Sequence, residues 1–152
     1  MEHVTDIQAP PIVEFVNVSM EFHDSGPTRP EGPIIINLNS RDAEGNPNKQ
    51  VLNVMQGACS RLRVDFRVHN NACIGLKVVT GVKALNTVFK EEEVFGAYRA
   101  DPTTVLTEYT SWITQPSGFF ARGNFEGKLY FSDVQGIVHM QLDLKIVVGK
   151  KW

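Results

Sequence analysis

Arg61-Leu62-Arg63-Val64-Asp65-Phe66-Arg67-Val68 decides the fold class. Leu62, Val64, Phe66 and Val68 alternate with Arg61, Arg63, Asp65 and Arg67. A period of two puts the apolar set on one face of a sheet and the charges on the other, whereas a helix would scatter both sets around its circumference. The same alternation returns from Val138 to Ile146. It appears again between Ala121 and Phe131, where Phe125, Leu129 and Phe131 share one parity and Arg122, Asn124, Glu126 and Lys128 the other. Val13 to Phe22 is rich in β-branched and aromatic residues, and Ile34 to Leu38 reads as a short strand. Gly75 to Val82, Glu92 to Tyr98 and Val105 to Ile113 are weaker strands. His23 to Gly32, with Pro27 and Pro30, and Asn39 to Asn48, with Gly45-Asn46-Pro47, are loops. The best helical window, Lys83 to Glu93, lacks a full apolar stripe. Many short strands separated by turns make an all-β sandwich or barrel. Residues 1–12 read as a loose leader and 13–152 as one domain.

The chain has 152 residues, enough to bury a single core. Apolar residues make up 42% and charged residues 21%, which excludes a disordered chain, a collagen-like repeat and a coiled coil. With 15 basic and 17 acidic residues there is no basic excess of the kind a nucleic-acid binder shows. No apolar run reaches the roughly 18 residues needed to span a bilayer, and Met1 to Pro11 lacks the pattern of a signal peptide. The expectation is a soluble cytoplasmic protein without stable membrane insertion. Cys59 and Cys73 are too few for a disulfide framework, so reduced thiols are the simpler reading, with a single bridge as the alternative.

Residue chemistry offers no enzyme. There is no nucleophile elbow, phosphate loop, dinucleotide fingerprint or zinc-protease motif. His3, His23, His69 and His139 share metal-ligand spacing neither with one another nor with a cysteine, so no metal is expected. His139 falls on the polar parity of its strand and reads as solvated. Glu91-Glu92-Glu93 reads as a solvated turn, or else as an acidic contact for a basic partner. Arg61, Arg63, Arg67 and Lys77 read as a solvated sheet face, or else as a contact for anionic lipid or an acidic partner. What remains is the apolar interior. Gly75, Gly81, Gly96, Ala97, Gly118, Ala121, Gly123 and Gly127 lie in or beside strands, where small residues mark bulges or the close approach of a ligand. A sandwich whose core such residues underfill has room for a ligand between its sheets.

The order and spacing of several segments resemble the Rho GDP-dissociation inhibitor family. Arg61 to Val68 is similar to the family's central strand, and Gly75-Leu76-Lys77 follows it as expected. Pro116-Ser117-Gly118-Phe119-Phe120-Ala121-Arg122-Gly123-Asn124-Phe125 resembles the segment P-x-G-x-x-A-R-G-x-Y. Gly32 to Leu38 resembles an early strand, and Lys150-Lys151-Trp152 a basic-tryptophan ending. The resemblance runs from about Val13 to Trp152.

The resemblance implies an immunoglobulin-like β-sandwich with an apolar pocket between its sheets and no cofactor. It implies a monomeric carrier that binds the farnesyl or geranylgeranyl group of a prenylated Rho-family small GTPase and holds it in the cytosol. A general prenyl or lipid carrier that ignores the GTPase body, and an adaptor with a filled core, are the alternatives. Carried over by position, the prenyl-binding residues are Met20, Leu52, Leu62, Val64, Ala72, Phe120, Leu142 and Leu144, with Asp133 as a GTPase contact. Leu52 stands where the family has phenylalanine, and Leu142 and Leu144 where it commonly has tryptophans. The family's acidic cluster is reduced here to Asp133. The family's long acidic N-terminal arm has no counterpart in residues 1–12, so the resemblance implies affinity drawn mainly from the prenyl group and weak inhibition of nucleotide exchange.

Overall fold

A computed structural model describes residues 9–39, 43–45, 49–84, 87–114 and 122–152, with only the backbone of 84 and 87–89. Two sheets pack face to face as an immunoglobulin-like β-sandwich, and the described residues contain no helix. The first sheet has the order β2-β1-β4-β7, formed by β2 (Ile34–Ile36), β1 (Ile12–His23), β4 (Cys59–His69) and β7 (Asp101–Tyr109). The two-residue β8 (Ile113–Thr114) pairs with the start of β4. The second sheet has the order β3-β10-β9-β5-β6, from β3 (Gln50–Met55), β10 (Val138–Gly149), β9 (Gly123–Ser132), β5 (Cys73–Ala84) and β6 (Thr87–Tyr98). Pairing is antiparallel except between β3 and β10, which run parallel with Gln50 opposite Leu144.

The central stretch lies in β4 as its alternation requires. Leu62, Val64, Phe66 and Val68 are buried, and the residues between them are half-buried. In β1 the apolar residues change parity, from Val13 and Phe15 to Val18, Met20 and Phe22. A bulge between Phe15 and Asn17 absorbs the change and leaves Val16 exposed. A bulge adds one residue to one strand, so both apolar sets still face the core.

Three expectations are corrected. Glu91-Glu92-Glu93 is no turn but lies within β6, opposite Thr80, Val79 and Val78 of β5. β3 was not expected as a strand at all, although Leu52 and Val54 alternate inward along it. His139 is not solvated, for its side chain is only 4% exposed. Both cysteines are free and buried.

Candidate functional site

The core between the sheets is one continuous apolar cluster. One end is packed with aromatic rings. Phe15 of the first sheet meets Phe131 of the second at 4.7 Å between centroids, and Phe66 meets Tyr98 at 5.1 Å. Phe66 and Phe131 are fully buried. Toward the other end β1 leads to Met20 and Phe22, and Phe22 packs edge-on against Trp152 at 4.6 Å. Met20 and Leu62 sit opposite each other in register and keep slight exposure.

Six of the residues expected to bind a prenyl group belong to this cluster: Met20, Leu52, Leu62, Val64, Leu142 and Leu144. They come from both sheets, on β1, β3, β4 and β10. Ala72 stands exposed in the turn before β5 and outside the cluster. Phe120 lies outside the described residues. Among the small residues, Gly127 is the one with a bearing on the interior. It shares the inward parity of Phe125, Leu129 and Phe131 on β9 and is buried. It lies in register between Leu144 of β10 and Val82 of β5. A methyl group there would stand 3.3 Å from Ile146 Cδ1 and 3.6 Å from Leu144 Cβ. The missing side chain therefore sits beside one of the candidate lining residues.

The charged outer face is less basic than its sequence suggests. Arg61 Nε donates to Glu21 at 2.9 Å, and its guanidinium lies between the rings of Tyr109 and Trp112. Arg63 pairs with Asp65, Arg67 with Glu14, and Lys77 with Glu92 on the other sheet. The His69 hydrogen bond and the Arg67 charge hold the Glu14 carboxyl below its usual range. Each member of the basic group thus has its own carboxylate. Two shallow hollows of about 320 and 310 Å³ adjoin these charged residues. One is bounded by Phe22, Arg29, Pro33 and Trp112, the other by Lys77, Lys90, Tyr130 and Val138.

Asp133 is buried, and its carboxylate turns inward. Oδ1 accepts the amides of Gln135 and Ile137 at 2.9 and 3.2 Å, while Oδ2 faces His139 Nε2 at 2.8 Å. Cys73 completes a group whose thiol, carboxylate and ring nitrogen lie within 4.8 Å of one another. A cysteine beside a histidine and an aspartate suggests a nucleophile, but this one is closed to solvent. Burial, and secondarily the Asp133 charge, push its thiol up to about 11, away from the reactive thiolate. The sequence gives no spacing signal for this group. Only the β9–β10 hairpin and its pairing with β5 bring the three together.

Comparison with known proteins matches this fold. The family model described as RHO protein GDP dissociation inhibitor matches residues 1–151. Rho GDP-dissociation inhibitor 1 of Arabidopsis thaliana is 26% identical over 136 residues, 83% of this chain and 50% of the relative. The Rho GDP-dissociation inhibitor of Schizosaccharomyces pombe is 26% identical over 122 residues, 79% of this chain and 58% of the relative. Rho GDP-dissociation inhibitor 1 of Bos taurus is 27% identical over 128 residues, 80% of this chain and 58% of the relative. The chain thus spans between half and three fifths of the length of these curated relatives. With a β-sandwich of the expected kind and a family match along almost its whole length, the chain belongs to the Rho GDP-dissociation inhibitor family.

Proposed function

We propose that this protein binds the prenyl group of a Rho-family GTPase between its two sheets and so withdraws the GTPase from membranes into the cytosol. The family match over residues 1–151 carries the reading. The physical requirement is burial. A prenyl chain gains about 0.8 kcal/mol for each methylene placed in a bilayer, so a carrier must offer comparable apolar surface. The core cluster that includes Met20, Leu62 and Leu144 supports this, being apolar and contributed by both sheets. The protein acts as a binding protein and not as an enzyme, in keeping with its family.

The test is titration of fluorescent farnesyl and geranylgeranyl cysteine peptides, paired with extraction of prenylated GTPase from vesicles. The wild type should bind a peptide and extract the GTPase. Gly127→Leu should bind at least tenfold more weakly, because its side chain would press on Ile146 and Leu144 and displace the lining. Ala72→Trp, in an exposed turn, should bind like the wild type. Peptide binding without extraction would indicate a general prenyl carrier. Absence of binding to either peptide would leave the adaptor with a filled core.

A further inference from the structure

We infer that Cys73, Asp133 and His139 form a binding site for a thiophilic divalent cation of the zinc type, held by one sulfur, one nitrogen and one oxygen ligand. The three side chains come from three places, the first residue of β5, the position just after β9 and the second residue of β10. Their ligand atoms lie within 4.8 Å of one another. Around a tetrahedral ion, with bonds of about 2.0–2.3 Å, ligand atoms stand less than roughly 4 Å apart. Closure by on the order of 1 Å therefore suffices.

Charge selects the ion. A thiolate and a carboxylate together carry two negative charges, the imidazole is neutral as a ligand, and a divalent cation brings the sum to zero. Neutrality matters because Cys73 is fully buried and the Asp133 and His139 side chains are only 2% and 4% exposed. Mixed sulfur, nitrogen and oxygen ligands suit zinc better than magnesium or calcium, which take oxygen. The carboxylate is already positioned by its neighbours. Oδ1 is fixed by the amides of Gln135 and Ile137, which leaves Oδ2 directed at the group. Such outer bonds orient a ligand. Asp133 and Gly136 line the second of the two hollows, which brings solvent to one member of the group. On binding, the Cys73 thiol proton leaves to solvent, the proton between His139 Nε2 and Asp133 Oδ2 leaves Nε2 as the neutral ring takes its Nδ1–H form, and that hydrogen bond is exchanged for two bonds to the ion.

The test uses Co²⁺ and Zn²⁺ on the whole, reduced protein. Co²⁺ should produce a near-ultraviolet thiolate-to-cobalt charge-transfer band that saturates at a single ion per chain, and Zn²⁺ should displace it. Zn²⁺ should also raise the melting temperature, reversibly with a chelator. Cys73→Ala should abolish the band, and Asp133→Asn should weaken binding more than tenfold. Cys59→Ser, which removes the other free thiol, should leave both unchanged. No charge-transfer band in the wild type overturns the site, as does a band that survives Cys73→Ala or is lost in Cys59→Ser. If Cys73→Ala does not fold, Asp133→Asn decides, and undiminished Co²⁺ binding by that variant overturns the site.

Discussion

Asn70 takes a φ of +69° in the turn between β4 and β5. Only a few residue types reach this region without a steric cost, and asparagine is among them. Asn70→Val should lower unfolding free energy by about 1–2 kcal/mol, while Asn70→Gly should be close to neutral, as denaturant titration would show. Asp101 plays a comparable local part at the start of β7. Its carboxylate accepts the hydroxyl of Thr104 at 2.7 Å and both the hydroxyl and amide of Thr103. These bonds, that of Thr104 first, lower its pKa to about 2. A carboxyl lowered in the folded state stabilises above its unfolded value and loses that contribution as pH falls through the folded one. The melting-temperature difference between wild type and Asp101→Asn should therefore hold above about pH 4 and shrink as pH falls toward 2. A difference constant across that range would show that the Thr103 and Thr104 bonds do not favour the ionised form.

At the scale of elements, the legible parts were those whose side chains repeat with the pleat. β4, β9 and β10 announce themselves because one face is apolar and the other charged. β3 is six residues long and carries only Leu52 and Val54 as inward residues, too few for a period to stand out beside the adjoining polar loop. Its burial shows that it is nonetheless part of the core. Leu52→Ala should cost about 2–5 kcal/mol in stability, a loss readable by thermal or denaturant unfolding. Glu91-Glu92-Glu93 misled for a different reason. β6 is an edge strand, and edges are where charge is placed to discourage pairing with other chains. A run of like charge there is compatible with a strand. The Cys73, Asp133 and His139 group was illegible because it depends on register across three strands. Within the expected prenyl site, Met20, Leu62, Val64, Leu142 and Leu144 could be placed on apolar faces from parity alone. Gly127 was legible only as a small residue in or beside a strand, because a glycine adds nothing to an apolar alternation.

At the scale of the whole molecule, the two sheets share one core, tied by the contacts of Phe15 with Phe131 and of Phe22 with Trp152. Among the described residues the apolar core lies between the sheets, so neither sheet should survive alone. Unfolding followed by far-ultraviolet circular dichroism and by tryptophan fluorescence should give coincident transitions. Separate midpoints would mean that one sheet outlasts the other. Trp112 and Trp152 lie near the same end of the sandwich, packed on His23 and Phe22 respectively, so the fluorescence reports mainly from there.

The parallel pairing of β3 with β10 also imposes a schedule on biosynthesis. β3 is made early, but its hydrogen-bonding partner includes residues 144–149. At roughly 5–20 residues per second, translation leaves β3 without that partner for on the order of ten seconds. Through that interval Leu52 and Val54 cannot take their places in the second sheet. The nascent chain has to be shielded or held open until β10 emerges, so ribosome-associated chaperones are expected to be needed most between those two moments.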